Sequence, residues 1–133
     1  MRPMRSYLPN SVANLMVFSL LLCCLTGCRP SAKSTLKSNN QMKQLLIAIT
    51  NYHDSYHGWP ESLADIRPFT EMDNFEELML NPVTGENPGY EYVQPSPDSD
   101  PETTVLLYQL RDGQRDLNLE VCFADISVRK LSN

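Results

Sequence analysis

The sequence has few basic residues and none of the common catalytic motifs. It contains 11 Lys and Arg against 16 Asp and Glu, and all 16 acidic residues follow Cys28. Nucleic-acid binding needs a surface rich in Lys and Arg, so this charge balance argues against that class of function. The chain also lacks GxSxG, P-loop and Rossmann glycine patterns and a complete HExxH motif. We therefore predict that it is not an enzyme.

Charged residues are also scarce in the first 27 positions, where Arg2 and Arg5 are the only ones. They precede the apolar run VANLMVFSLLLCCL, which covers Val12 to Leu25. A basic end followed by such a run is typical of a signal peptide, and the run is short for a bilayer span. We predict that residues 1–27 are a signal peptide and do not belong to the fold.

The apolar run closes with Leu25-Thr26-Gly27-Cys28, which resembles the lipobox of bacterial lipoproteins. The resemblance implies that a peptidase cleaves before Cys28 and that the Cys28 thiol carries a diacylglyceryl group. The mature chain would then be lipid-anchored in the cell envelope, on the periplasmic side of the inner or outer membrane or at the cell surface, and its acyl chains would hold it there stably. An ordinary cleaved signal and an uncleaved anchor are the alternatives.

The predicted processing leaves few of the four cysteines free in the mature chain. Cys23 and Cys24 leave with the signal peptide and Cys28 is lipidated, so only Cys122 remains. It lies in the strand-like run LNLEVCFA, without a helix N-terminus or a basic cluster that would lower its pKa. We predict a buried and unreactive thiol.

Residues 28–38 are polar and have no apolar period, which predicts a tether or the frayed start of a helix. A helix is predicted from Ser38, because Ser38 and Gln41 have capping-box spacing. Gly58 and Pro60 are its predicted stop. One helix face is predicted to be formed by residues at three-and-four spacing, namely Met42, Leu45, Leu46, Ile49, His53 and Tyr56.

The pair His53 and His57 is the only candidate for a metal-dependent site in this helix. Two histidines four residues apart can share a zinc ion, as in HExxH, but Asp54 stands where that motif has Glu. Asp54 is also predicted to point about 100° away from His53. We therefore expect His53 to pack with one ring nitrogen hydrogen-bonded and His57 to be half exposed. A metal-dependent enzyme is the less favoured hypothesis.

After Pro60 the pattern changes to short helices and then strands. Short helical segments are predicted for residues 61–66 and 73–80, the second capped by Asp73 and Glu76. Strands are predicted for GYEYV, TTVLLYQL, LNLEVCFA and ISVRKL, with a turn at Asp112-Gly113 and with Phe123 facing Val128 across the last hairpin. In LNLEVCFA, one face is predicted to hold Leu117, Leu119, Val121 and Phe123. The predicted fold is α+β, with one long N-terminal helix packed on a small antiparallel sheet of three to four strands.

Residues 39–133 resemble the pilin-like and type II secretion pseudopilin-like domains of bacteria, in particular a group of unknown function. The segment NPVTGENPGYEY, residues 81–92, is similar to the element that begins the pseudopilin sheet, and CFADISVRKL is similar to the closing hairpin FADGSVRFL of the group. In this group the first helix ends in a motif similar to NNxxQxxLAxxNYHDxxGxFP. The residues of this chain that match it are Asn39, Asn40, Met42, Leu45, Asn51, Tyr52, His53, Asp54, Trp59 and Pro60.

Two departures from that pattern affect what the resemblance implies. Prepilins have a glutamate and a long hydrophobic helix after the processing site, whereas here Arg29 and Pro30 follow Cys28, which argues against fibre assembly. Ile126 stands where the group usually has glycine, and a β-branched residue resists positive φ. We therefore predict that another geometry replaces the usual Asp-Gly turn.

The resemblance implies a structural or protein-interaction subunit that is an accessory to a type II secretion or pilus-like system. Its expected partners are the membrane, through the lipid, and envelope or secretion-assembly proteins. The alternative is an envelope lipoprotein that binds calcium or a small ligand, because some pseudopilins hold calcium in loops of the sheet. Asp98, Asp100 and Glu102 offer oxygen ligands for calcium, and no other cofactor is predicted.

Overall fold

A computed structural model describes residues 29–71 and 74–132. These residues form an α+β fold in which one long helix packs against an antiparallel sheet, and this confirms the predicted fold class. The predicted signal peptide (1–27), the lipobox residues Leu25, Thr26 and Gly27, the lipidation residue Cys28 and the predicted cap Asp73 lie outside the described residues.

Helix α1 covers Ala32–Tyr56 and begins earlier than the sequence predicted. Ser31 is its N-cap, and the Ser31 hydroxyl accepts a hydrogen bond from the Ser34 N–H at 3.1 Å. The predicted start at Ser38 is wrong because Ser38 is fully buried against the sheet and does not cap the helix. Residues 32–38 belong to α1 and not to a tether, so three described residues, 29–31, precede the helix.

The C-terminal end of α1 lies where Gly58 and Pro60 predicted it, with a different capping residue. His57 takes the left-handed conformation, with φ of 56°, and its N–H donates to the His53 carbonyl at 2.8 Å. Glycine usually takes this position because it has no Cβ. Here Gly58 follows the cap. No helix among residues 29–71 and 74–132 is both long enough and apolar enough to cross a membrane.

Two short helices connect α1 to the sheet, as predicted. A 3₁₀ helix covers Leu63–Phe69, and the Ser62 N–H donates to the Asp65 carboxylate at its start, at 2.8 Å. Helix α2 covers Phe75–Met79. Both helices bury apolar side chains against α1, including Ile66 and Leu78.

The sheet contains five antiparallel strands: β1 (Tyr90–Tyr92), β2 (Val105–Arg111), β3 (Gln114–Arg115), β4 (Val121–Phe123) and β5 (Val128–Arg129). Strands β1, β2, β4 and β5 are neighbours in that order, and β3 pairs with the end of β2. Asp112 and Gly113 form the predicted turn, both with positive φ. This is the backbone conformation that tight hairpins require.

Strand β4 is shorter than the predicted strand over LNLEVCFA. Residues 117–119 form turns, in which the Leu119 N–H donates to the Asp116 carbonyl at 3.2 Å, and Leu117 is 59% exposed. The predicted alternating face is therefore wrong at Leu117. All three residues of β4 are buried, Cys122 included.

The closing hairpin differs from the prediction in register and in turn. Cys122 pairs with Val128, whereas Phe123 was predicted to do so. The Phe123 N–H donates to the Ser127 carbonyl at 2.9 Å, which leaves a three-residue loop that ends at Ile126. The last residue of such a loop is normally left-handed, and Ile126 has φ of 70°. The prediction that this turn avoids a left-handed residue is therefore wrong.

The core lies between the inner face of α1, the short helices and the sheet. Met42, Leu45, Leu46 and Ile49 are at most 1% exposed, as the helical period predicted. The predicted face fails at Tyr56, which is 65% exposed. Its ring contacts the rings of Tyr52 and Phe69 at the end of the helix, with centroid distances of 4.7 and 6.0 Å.

A buried polar network joins α1 to the sheet, and Gln109 of β2 is its centre. The Gln109 side-chain oxygen accepts hydrogen bonds from the Ser38 hydroxyl and the Asn81 amide, each at 2.9 Å. Its amide nitrogen donates to the Glu120 carbonyl at 2.9 Å. The Tyr90 hydroxyl extends the network by donating to the Gln41 side-chain oxygen at 3.0 Å. Buried polar groups that are paired in this way help to specify one arrangement of helix and sheet.

Candidate functional site

The two histidines lie at the C-terminal end of α1, beside a surface pocket of about 520 Å³. His53 is partly buried, and its ring lies against the Trp59 ring with a centroid distance of 4.3 Å and an angle of 37°. His57 is exposed, which is more than the predicted half exposure. The pocket is lined by His53, His57, Gly58, Trp59, Gln94, Pro95 and Pro97.

Asp54 lies closer to His53 than the helical geometry predicted. The Asp54 Oδ1 atom is 3.6 Å from His53 Nδ1, which is too long for a hydrogen bond. An exposed carboxylate can turn toward its neighbour along the chain, which accounts for this distance although the two residues lie about 100° apart around the helix. The His53 ring also contacts the Trp59 ring, as described above.

The geometry of the histidines differs from that of HExxH. His57 is the left-handed cap and follows the last helical residue, so the two side chains do not lie one turn apart on a regular helix. Within residues 29–71 and 74–132, no group of three His, Cys, Asp or Glu side chains is placed to hold a metal ion. A metal site at His53 and His57 has no observation in its favour beyond the sequence pattern.

The calcium candidates Asp98, Asp100 and Glu102 are exposed in the loop before β2. Asp100 shapes this loop: its carboxylate accepts from the Glu102 N–H at 3.0 Å, and its carbonyl accepts from the Thr104 hydroxyl at 2.6 Å. These contacts give Asp100 a structural role in the loop. Calcium binding stays a prediction.

Cys122 is buried, as predicted. Its side chain is fully inaccessible, and burial raises the pKa of the thiol to about 12, with a smaller contribution from the Asp125 carboxylate. A thiol must ionise and reach solvent to act as a nucleophile. The environment of Cys122 satisfies neither condition at neutral pH.

The exposed side of α1 is a feature that the sequence reasoning missed. Leu36 is 63% exposed and Ile47 is 52% exposed. They are eleven positions apart in the sequence. At about 100° per residue, this places them only about 20° apart around the helix axis. We define the outer face of α1 as this line with its exposed neighbours: Lys33, Leu36, Lys37, Asn40, Lys43 and Ile47. The same helical period that identified the core would have identified this face.

Comparison with known proteins provides no assignment: no family model, no curated protein and no solved structure matches the chain. The three segments that carry the pilin-like resemblance lie in α1, in the loop that leads into β1, and in the β4–β5 hairpin. The resemblance stays a prediction from those motifs.

Proposed function

We propose that this chain is a lipid-anchored envelope protein, attached through Cys28, with a pseudopilin-like domain that acts as a structural or protein-interaction subunit. We also propose, from the sequence resemblance, that it is accessory to a type II secretion or pilus-like system. The apolar run that ends in the lipobox-like Leu25-Thr26-Gly27-Cys28 is the main support for the anchor. Helix α1 begins four residues after the lipobox cysteine, which is compatible with an anchor at Cys28.

Side chains exposed at the surface support a role in contacts. Leu36, Ile47 and Tyr56 are each more than half exposed although they are large and apolar. When a partner covers such side chains, their apolar surface is removed from water, and this burial makes binding more favourable. The resemblance to pseudopilin-like domains adds the expectation that the partner belongs to an envelope assembly.

The anchor is tested by expressing the full chain in a bacterium with a lipoprotein pathway and labelling it with a palmitate analogue. We expect label on the wild-type chain and on Cys122→Ala, and none on Cys28→Ala. The Cys122 variant is the matched control, because it removes a cysteine from the mature chain without touching the lipobox. Label on Cys28→Ala, or no label on the wild type, would refute the anchor.

The contact role is tested by photocrosslinking in the native cells from Tyr56 of the lipidated chain, with exposed Gln114 of β3 as the control position. Crosslinks from Tyr56 to subunits of a secretion or pilus-like assembly are the expected result. Crosslinking only to lipid, or equal products from both positions, would contradict the assignment as a protein-interaction subunit.

The pocket beside Trp59 supports a second candidate, an envelope lipoprotein that binds a small ligand. The His53 and Trp59 rings, tilted by 37° to each other, form an aromatic wall, and the Gln94 side chain lines the same pocket. Trp59 is the single tryptophan of the chain, so its fluorescence reports on this site directly. A saturable change on titration with envelope metabolites, lost in His53→Ala, is the expected result for this candidate.

A further inference from the structure

The outer face of α1 combines basic and apolar side chains. Lys33, Lys37 and Lys43 flank Leu36 and Ile47, and all five are exposed. From Lys33 to Ile47 the face is about 21 Å long at 1.5 Å per residue. Lys37 Nζ lies 3.2 Å from a carboxylate oxygen of Glu77, but both side chains are more than half exposed. An exposed pair of this kind is weak and leaves Lys37 able to exchange partners.

Charge is divided unequally along the chain. Residues 29–53 contain four basic residues and no acidic one, whereas the chain from Asp54 onward contains five basic and 16 acidic residues. The first half of α1 is therefore the basic part of an acidic domain. An anionic surface attracts this part and repels the remainder, which gives the domain a preferred orientation.

The distance between the proposed anchor and the helix is short. Four peptide steps from Cys28 to Ala32 span at most about 14 Å. Lys33 and Leu36 belong to the first turns of α1, so they must lie close to the lipid headgroups whenever Cys28 is anchored. A flexible tether through residue 38 would have allowed the whole helix to leave the surface.

We propose that the outer face of α1 lies on the anionic phospholipid headgroups of the membrane that holds the anchor. The three lysines contact phosphates, and Leu36 and Ile47 enter the boundary between headgroups and acyl chains, as in amphipathic helices that lie on membranes. The sheet and the acidic loops then face away from the bilayer. This inference rests on the lipid anchor of the proposed function.

The test uses the processed, lipidated chain in phosphatidylcholine vesicles with and without phosphatidylglycerol. A fluorophore is attached at Asn40→Cys on the outer face or, as the matched control, at Gln114→Cys in β3. Both native residues are neutral and exposed, and Cys122 stays unlabelled because it is buried. Quenching by acrylamide, a neutral molecule, measures how accessible each fluorophore is.

We expect quenching at position 40 to fall about threefold on anionic vesicles relative to neutral ones, with no change at position 114. High salt should remove the difference, because it screens exposed charges. The triple variant Lys33→Gln, Lys37→Gln, Lys43→Gln should also remove it. Equal quenching at position 40 on both vesicles would overturn the proposal. Protection that appears on neutral vesicles and increases with protein density would also overturn it, in favour of a second copy on this face.

Flotation of the same samples separates this proposal from the anchor. A lipidated chain floats with neutral vesicles, whatever the outer face does. A chain that fails to float on them refutes the anchor, whereas a chain that floats with an unprotected position 40 refutes only the docking of α1.

Discussion

The inner and outer faces of α1 differ in what surrounds their side chains. On the inner face, Leu45 and Ile49 are fully buried, and Ser38 and Gln41 join the polar network of the sheet. On the outer face, Leu36 and Ile47 are equally apolar yet more than half exposed. The comparison shows that residue type does not decide burial in this helix. Position around the helix axis does, and the apolar residues of the outer face are free for another surface.

The largest predicted effect tests the inner face. Leu45→Ala should lower the free energy of unfolding by about 2–5 kcal/mol, because the removed atoms leave a cavity in a closed core. Ile47→Ala, two residues away on the outer face, should change it by less than about 0.5 kcal/mol. Urea denaturation of both variants measures the difference. Equal losses would show that Ile47 is part of the core after all.

The second prediction concerns the polar part of the inner face. Gln109→Leu should cost about 2–3 kcal/mol, because it leaves the Ser38 hydroxyl, the Asn81 amide and the Glu120 carbonyl without their partner. Ser38→Ala should cost about 1–2 kcal/mol, since the hydrogen bonds of its hydroxyl with Gln109 and Tyr90 are lost. Thermal unfolding followed by circular dichroism provides the measurement. A neutral Gln109→Leu would mean that the network contributes no net stability.

The third prediction is a pH dependence from the same network. Burial raises the pKa of the Tyr90 hydroxyl from 10.0 to about 12. The unfolded chain therefore loses this proton first, and the contribution of Tyr90 to stability is complete below about pH 10 and is lost as the pH rises through about 12. We expect wild type to lose about 2 kcal/mol more than Tyr90→Phe across this range.

Urea titrations at successive pH values measure this difference. Cys122 titrates in an overlapping range, so the comparison must be made between variants that both retain it. Parallel pH profiles for wild type and Tyr90→Phe would contradict the burial of Tyr90 against α1.

The smallest predicted effect concerns Ile126, which lies in the β4–β5 hairpin and on neither face of α1. Unlike the substitutions above, this one is expected to stabilise the domain. Ile126→Gly should raise the free energy of unfolding by about 1 kcal/mol, because it removes the strain of a β-branched residue at φ of 70°. Ile126 is exposed, so little packing is lost with it. Gly113→Ala in the other hairpin should have the opposite sign. A destabilised Ile126→Gly would indicate that the isoleucine side chain makes contacts that outweigh the strain.

The helical period explains why the core of α1 was predictable. Met42, Leu45, Leu46 and Ile49 follow it, and the structure buries all of them. The helix start was not predictable from the same signal, because Ser31 and Ser38 are both good caps and only the sheet decides which one is buried. Ser38 pairs with Gln109, which is 71 residues away, and no local pattern contains that contact.

The sheet shows the same limit. The Asp112-Gly113 turn was predictable because both residues accept the left-handed conformation at low cost. The prediction at Ile126 was wrong because the three-residue loop requires a left-handed residue at this position, although a β-branched side chain disfavours that conformation. At the candidate site, spacing identified His53 and His57 but could not show that the Trp59 ring contacts His53 or that His57 is the helix cap.

The edges of the sheet limit how this domain can associate. The two edge strands of the main sheet, β1 and β5, contain three and two residues. Short edges present few unpaired backbone groups, so they are poor templates for adding a strand from another chain. Association should therefore depend on side-chain surfaces. Aggregation through backbone pairing between sheet edges is therefore disfavoured in this domain.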